Sequence, residues 1–298
     1  MRKINQLLKR YELKPHRYEK NGKVTYIDTN EGRFVIKDNK HKDDIYNYLD
    51  SRSFDYYPKM LNDINDDYEI REYVEEIDIP REQKVIDLID LTALLHNKTT
   101  HYKEVDIADY KQIYEDINNN IAYLNSYYSD LITLIETKVY MSPSEYLLAR
   151  NISKIFAALA FSKKEIEEWY ELIKDKKKKR YVVLHNNLKL DHFLENKNSY
   201  LINWDKSKID IPIFDLYKLY RNHCLDFDFE EILKRYENSY PLAEDERKLF
   251  FILITLPDII KFDDTEYNMT KKISKEIDKL YKTEILLTPY CFNKESSN

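Results

Sequence analysis

The sequence predicts an α+β fold, in which an N-terminal lobe built on an antiparallel β-sheet precedes a mostly helical C-terminal lobe with a small β-hairpin. Three observations lead to this prediction. Alternating β-signals and tight turns dominate up to residue 74, the hydrophobic period becomes helical from Pro80 onward, and β-signals return briefly between residues 181 and 204. We therefore divide the 298 residues into lobes 1–74 and 75–298, with a hinge at 71–80.

The β-signals of the N-terminal lobe predict five antiparallel strands and one short helix near Lys42–Leu49. An Asn-Gly pair at residues 21 and 22 and a second turn ending at Gly32 connect the first three strands by short loops. The five predicted strand segments are His16–Glu19, Lys23–Asp28, Arg33–Lys37, Lys59–Leu61 and Tyr68–Val74.

In the C-terminal lobe, helix-start signals are the clearest local features. Pro80 precedes an apolar stripe at helical spacing, and Ser142–Glu145 and Ser162–Glu165 both have the S-x-x-E capping-box pattern, so we expect helices to begin at all three places. We interpret the basic run Lys176–Arg180 as a solvated helix end, where cations favour the carbonyl end of the helix dipole. A hairpin over His192–Glu195 and Tyr200–Trp204 is expected to follow.

Composition limits the class of partner. The chain has 48 basic and 54 acidic residues and a net charge of -6, which is not the footprint of a nucleic-acid-binding protein. No apolar run approaches the roughly 20 residues of a membrane span, and the N-terminus has no signal-peptide pattern, so we expect a cytoplasmic protein. Its 27 tyrosines and only two glycines are typical of an AT-rich bacterial genome.

Four motifs stand in an order that identifies a family resemblance. Phe34–Lys37 is a Val-Ile-Lys strand, Leu184–Asn187 is similar to a His-Gly-Asp catalytic motif, Leu201–Asp205 is similar to a metal-binding Ile-Asp-Trp strand, and Asp210–Leu219 is similar to the helix that braces the catalytic loop. With this layout the chain resembles the aminoglycoside phosphotransferases and choline kinases of the protein-kinase-like superfamily, nearest to the spore-coat-associated kinase-like group.

The resemblance implies ATP and Mg²⁺ as cofactors. Lys37 would contact the nucleotide phosphates, and Glu72, Tyr73 and Val74 would form the hinge that contacts adenine. Because the short helix contains no glutamate, we expect the usual carboxylate partner of the lysine to be Asp43 or Asp44. The turn that should cover the phosphates contains only one glycine, Gly22, so no phosphate cradle is evident.

The same resemblance assigns roles in the second half. Asn187 occupies the position of the catalytic base, His192 that of a metal-binding asparagine, and Asn203 that of a metal-binding aspartate. His185 would organise the loop from within, and Asp215 would brace it.

An amide cannot accept a proton at physiological pH, and Mg²⁺ prefers hard oxygen ligands to imidazole nitrogen. The residues at these positions therefore depart from what phosphoryl transfer requires. Asp205, two residues after Asn203 and expected on the same strand face, is the remaining candidate metal ligand. A shifted register that pairs Asp191 with Asn196 would leave too few residues before Asn203 for a hairpin.

Two hypotheses follow. The first is a pseudokinase or binding module that keeps the fold and cleft for a small molecule or a protein partner, associated with a spore coat or cell envelope. The alternative is a low-efficiency ATP-dependent phosphotransferase acting on a small hydroxyl or amino compound, with Lys37 on ATP and Asp205 recruiting Mg²⁺. The sequence leaves the question of enzyme activity open, because a fold does not carry activity with it.

Overall fold

The computed structural model describes residues 2–39, 43–62, 66–105 and 107–292. The chain divides into two compact units. The first contains Met1–Thr99 and Val183–Ile209, and the second contains Thr100–Val182 and Asp210–Asn298. The first unit thus contains the N-terminal sheet, the helix that follows Pro80 and the segment with the small hairpin.

The first unit contains a four-stranded antiparallel sheet in the order β1-β2-β3-β4. Its strands are β1 (Pro15–Asn21), β2 (Val24–Thr29), β3 (Gly32–Asp38) and β4 (Tyr68–Glu72). The predicted fifth strand is wrong, since Met60 forms only an isolated bridge with Arg71. Pro58 has no N–H to give to a ladder, and the backbone bonds beside this bridge join the Leu61 amide to Ile70 and the Glu72 amide to the Lys59 carbonyl.

The two faces of this sheet have different neighbours. Ile27, Phe34, Ile36 and Ile70 lie on one face and form a core with Leu8 of α1 (Arg2–Arg10), a helix that we did not predict from the sequence. Because side chains alternate along a strand, the residues between them point to the opposite face, which is therefore free to line a cavity.

The rest of the first unit surrounds a buried tryptophan. Helices α2 (Asp43–Ser51) and α3 (Arg81–Thr99) confirm the predicted short helix and the helix after Pro80. The predicted small hairpin is also present, as β7 (Phe193–Glu195) and β8 (Ser199–Leu201). Immediately after it, Trp204 is almost completely buried and contacts three aromatic rings of the N-terminal region. These rings belong to Tyr46, Phe54 and Tyr57.

The second unit is mostly helical. In it, α5 packs against α4, α8 and α9, and β5 pairs with β6. The helices are α4 (Ile107–Glu136), α5 (Pro143–Ile173), α6 (Ile213–His223), α7 (Phe229–Ser239), α8 (Glu244–Thr255) and α9 (Glu266–Phe292). The remaining strands are β5 (His101–Glu104), β6 (Lys178–Leu184) and β9 (Lys208–Asp210). No helix in the described part of the chain is long and apolar enough to cross a membrane.

Three local sequence predictions fall in this unit, and one is confirmed while two are wrong. The capping box at Ser142 is confirmed, with reciprocal bonds between Ser142 and Glu145 at the start of α5. The helix start at Ser162 is wrong, because Ser162 is completely buried inside α5, whose apolar stripe continues past it. The basic run is not a helix end either: α5 ends at Ile173 and β6 begins at Lys178, where its residues pair with β5.

Candidate functional site

A concave cavity of about 660 Å³ lies within the first unit. Its volume falls in the range of roughly 300–1,000 Å³ that small-ligand sites occupy. The sheet contributes the face opposite its apolar core, and the hairpin region contributes residues 191–205. Most of the positions singled out from the sequence line it: Lys37, Glu72, Tyr73, Val74, His192, Asn203 and Asp205.

Lys37 is held by a carboxylate of the neighbouring strand. Lys37 on β3 lies directly opposite Glu69 on β4, and its Nζ is 2.8 Å from Glu69 Oε1. The other oxygen, Oε2, accepts from Arg71 Nε at 2.8 Å and lies 2.7 Å from Arg71 Nη2. Glu69 is only 5% exposed, so its charge is stabilised by these two cations and not by water.

Arg71 has further partners that fix its guanidinium. Its Nη1 donates to the Pro58 carbonyl at 2.6 Å, and its Cζ lies 4.4 Å from the centre of the Tyr46 ring. Burial raises the pKa of the Tyr46 phenol, and Arg71 acts against that rise while Asp205 adds to it. The phenol therefore stays neutral beside the arginine.

Asp205 lies on the other side of Lys37. Its Oδ1 is 3.4 Å from Lys37 Nζ, and both side chains remain partly accessible. The strand argument used for Asp205 is wrong: β8 ends at Leu201, Asn203 adopts a left-handed conformation with φ 65°, and residues 204–206 form a short 3₁₀ turn. Asn203 and Asp205 nevertheless line the same cavity. They do so from a turn and not from a strand.

His192 is hydrogen-bonded to the Asn203 side chain and to the backbone carbonyl of Asn187. His192 Nδ1 is 2.7 Å from the Asn187 carbonyl oxygen, which can only accept, so Nδ1 carries the proton. In the neutral imidazole Nε2 is then an acceptor, and Asn203 Nδ2 donates to it at 3.0 Å. The lone pair of His192 and the amide hydrogens of Asn203 are thus directed at each other. Asn187 itself is not among the residues that line the cavity.

His185 and Asp215 lie in the interior. His185 is completely buried, its Nε2 donates to the Ile202 carbonyl at 2.8 Å, and its ring is edge-on to Trp204 at 5.0 Å. Asp215 is completely buried in the first turn of α6. Neither is among the residues that line the cavity.

The hinge residues form one edge of the cavity. The Glu72 amide bonds to the Lys59 carbonyl, and the Tyr73 amide bonds to the Arg33 carbonyl. Tyr73 is edge-on to Tyr26 at 5.8 Å, and the Arg33 guanidinium lies over both rings. This edge therefore carries the aromatic rings of Tyr26 and Tyr73.

Sequence reasoning missed Glu69 and the role of Arg71. The expected lysine partners were Asp43 and Asp44, whose side chains lie outside the described residues, and the structure pairs Lys37 with Glu69. The available signal was the Tyr-Glu-Ile-Arg-Glu pattern of β4, in which two charged residues alternate with a buried isoleucine and so share the face of Lys37.

The lining residues fit a nucleotide ring better than they fit Mg²⁺. The cavity has sufficient volume, a hinge edge and aromatic rings. For the metal, the described residues contain no group of three or more His, Cys, Asp or Glu side chains that could hold an ion. Asp205 has the Lys37 ammonium beside it, and the Asn203 amide nitrogen is turned to His192. We therefore derive no step through Mg²⁺.

Comparisons with known proteins agree with the fold. No protein-family model matches the chain, and no curated protein matches it. Among solved structures, an aminoglycoside phosphotransferase from Alicyclobacillus acidocaldarius is similar with a TM-score of 0.74 and 11% identity, covering 98% of this chain and 96% of that one. An AMP-bound spectinomycin phosphotransferase is similar with a TM-score of 0.56 and 12% identity, covering 95% of this chain and 97% of that one.

A choline kinase from Streptococcus pneumoniae is also similar, with a TM-score of 0.50, 17% identity, and coverage of 92% of this chain and 97% of that one. At these identities the likeness concerns the fold alone. The chain therefore has the α+β, protein-kinase-like fold of aminoglycoside phosphotransferases and choline kinases, as the sequence predicted.

Proposed function

We propose that the chain is a pseudokinase, a small-ligand-binding module with a kinase fold that does not carry out efficient phosphoryl transfer. The hydrogen-bonded chain of Asn187, His192 and Asn203 is the main support. A kinase uses a carboxylate at the first of these positions and oxygen metal ligands at the others. Here none of the three side chains carries a carboxylate, and His192 is held between the Asn203 side chain and the Asn187 backbone carbonyl.

The cavity supports the binding half of this proposal. Its volume, its hinge edge and the fixed position of Lys37 are those of a preformed small-molecule site. Spectinomycin phosphotransferase has been solved with AMP and choline kinase is named for its choline activity, so a nucleotide or a small amine is a reasonable first ligand for this chain.

Turnover measurements test the proposal directly. We expect ADP release from ATP and Mg²⁺, with hydroxyl and amino compounds as acceptors, to stay at the level without protein. Magnesium-dependent ADP release that disappears in both Lys37→Ala and Asp205→Ala would contradict the pseudokinase proposal and show that the chain is an enzyme. Lys20→Ala, an exposed lysine on β1, is the matched control for Lys37→Ala.

A weak phosphotransferase is the second candidate, and one observation favours it. Asp205 lies 3.4 Å from Lys37 in the same cavity and is 25% exposed in its side chain, so a carboxylate oxygen is accessible beside the lysine. In this candidate Asp205 would hold the metal that bridges the phosphates. If ATP raises the melting temperature only when Mg²⁺ is present, the weak phosphotransferase is favoured over the pseudokinase.

The cellular place of the protein is a separate part of the proposal. The resemblance to the spore-coat-associated kinase-like group suggests a cytoplasmic protein that associates with a forming spore coat or envelope structure through a protein partner. A fluorescent fusion followed through sporulation tests this. Uniform fluorescence at every stage would contradict the association and leave the proposed biochemical function untouched.

A further inference from the structure

One region of the second unit carries a concentration of exposed apolar side chains. Half of the large hydrophobic and aromatic side chains that are exposed in the described part of the chain belong to residues 123–146 and 259–267. These residues are the second half of α4, the α4–α5 turn, the start of α5, and the connection from α8 into α9. In the turn, Val139 is 88% exposed and Tyr140 is 89% exposed. We call the exposed side chains of these two ranges the apolar face.

Hydrogen bonds hold the segments of the apolar face side by side. The Tyr127 hydroxyl of α4 donates to the Ile260 carbonyl at 2.7 Å. At the start of α5, Ser144 donates its amide at 2.5 Å and its hydroxyl at 3.0 Å to the Glu266 carboxylate. Residues 260–266 therefore run alongside α4 toward the α4–α5 turn, so the exposed side chains belong to one continuous surface.

Helix α4 contributes one of its sides to this surface. Tyr123, Asp130 and Leu134 are separated by seven and four residues, so they share a side of the helix. Tyr127 lies between them on the same side, and its ring centre is 6.3 Å from that of Tyr123. Because Tyr127 bonds to Ile260, this exposed side of α4 is the one beside residues 260–266.

The size of the apolar face suits a protein–protein interface. Four of its tyrosines are between 55% and 89% exposed: Tyr123, Tyr140, Tyr146 and Tyr267. At roughly 200 Å² for each tyrosine side chain, these four alone leave on the order of 500 Å² uncovered. The aliphatic side chains beside them bring the exposed area to roughly 800 Å², which is what each partner of a standard interface buries. A monomer seldom exposes an apolar patch of this size.

Charges on the apolar face favour a second copy of this chain as the partner. Asp130 and Glu136 on α4 are exposed, as is Lys261 on the neighbouring segment, and no ion pair among the described residues involves any of the three. In a two-fold symmetric pair each patch meets its own copy, so the acidic groups of each α4 can face the Lys261 of the other copy. A lipid surface or a nucleic acid would instead require an excess of basic residues.

We propose that the apolar face is the interface of a symmetric dimer of this chain, in which α4 of one copy packs against residues 259–267 of the other. This interface lies in the second unit, whereas the cavity lies in the first. The inference is therefore independent of the proposed function, and turnover measurements do not bear on it.

Sedimentation velocity of the full chain over a series of concentrations tests the dimer. We expect a dimer with a Kd of about 10 μM or tighter, because interfaces of this size range from micromolar to much tighter affinities. Tyr140→Glu places a charge in the interface and should raise the Kd at least about tenfold. Tyr102→Glu is the matched control, since Tyr102 is an exposed tyrosine of the same unit outside the apolar face, and it should leave the Kd unchanged.

A charge exchange tests the symmetry of the pairing. Asp130→Lys and Lys261→Asp should each raise the Kd about fivefold, and the double variant should restore it because the pairs are reciprocal. A chain that stays monomeric up to about 100 μM, ten times the expected Kd, overturns the inference and leaves the face to another protein or a lipid surface. A dimer that Tyr140→Glu leaves intact also overturns it. A double variant no better than the single variants contradicts the symmetric pairing.

Discussion

The sheet side and the loop side of the cavity satisfy their polar groups in different ways. On the sheet side, Lys37, Glu69 and Arg71 are charged, closely paired and largely buried. On the loop side, His192 and Asn203 are joined by an ordinary hydrogen bond, and His192 also bonds to the backbone carbonyl of Asn187. The comparison teaches that one cavity can hold its polar groups by two kinds of interaction, charged pairing on one side and neutral hydrogen bonds on the other.

The largest expected effect comes from removing the anion of the sheet side. Glu69→Gln leaves Arg71 and Lys37 as neighbouring cations in a buried place, and breaking a buried ion pair in this way costs about 3 to 5 kcal/mol. Urea unfolding measures the loss. Glu72→Gln, an exposed carboxylate on the same strand, is the control and should change stability by less than about 0.5 kcal/mol. Equal effects would show that the charged cluster does not stabilise the fold.

A buried carboxylate outside the cavity extends the comparison. Asp215 is completely buried in α6, so Asp215→Ala should leave its hydrogen-bond donors unpaired and cost about 1 to 3 kcal/mol. Thermal unfolding gives the change in melting temperature. An unchanged melting temperature would contradict a bracing role for this residue.

Charge can be restored to the loop side. Asn203→Asp adds a carboxylate to the cavity that Asp205 also lines, and Asn187→Asp adds a second one five residues before His192. For the double variant we expect Mg²⁺-ATP affinity to rise about tenfold, because opposite charges attract strongly in a partly water-excluded cavity. The same titration without Mg²⁺ is the control and should show no gain. A gain that is independent of metal would mean that the neutral chain is not what limits metal binding.

The backbone of Asn203 gives a smaller test of the loop side. Asn203 has φ 65°, a left-handed conformation that most residues adopt at a cost. Asn203→Ala loses the bond to His192 and adds strain, whereas Asn203→Gly loses the bond alone. We expect the alanine variant to be less stable than the glycine variant by about 1 kcal/mol. Equal stabilities would show that this turn relaxes on substitution.

The smallest expected effect is the pH dependence of stability that Tyr57, a cavity-lining residue, contributes. Burial, together with a hydrogen bond to Asp50, raises the pKa of Tyr57 to about 12. Its folded-state pKa lies above the ordinary value near 10, so its contribution to stability is complete below pH 10 and is lost as the pH rises from about 10 to about 12. The free energy of unfolding should fall less steeply in Tyr57→Phe over that interval. Parallel curves would contradict the assignment.

The sequence by itself determined what depends on local pattern and on the order of motifs. The turn at Asn21-Gly22, the helix start at Ser142 and the order of the Lys37, His185 and Asp205 motifs were sufficient to predict the kinase-like fold class. These features are sufficient because each is encoded within a few neighbouring residues. The Ser162 pattern shows the limit of such signals, since a capping box inside a long apolar stripe does not begin a helix.

Only the tertiary structure decided which groups meet in the cavity. The partner of Lys37 follows from the pairing of β3 with β4, strands separated by residues 39–67, and a shift of that pairing by one residue would turn Glu69 to the apolar face. The bond between Asn203 and His192 likewise depends on the hairpin that brings residues 11 positions apart together. Contacts of this kind depend on non-local register, which residue-by-residue propensities do not encode.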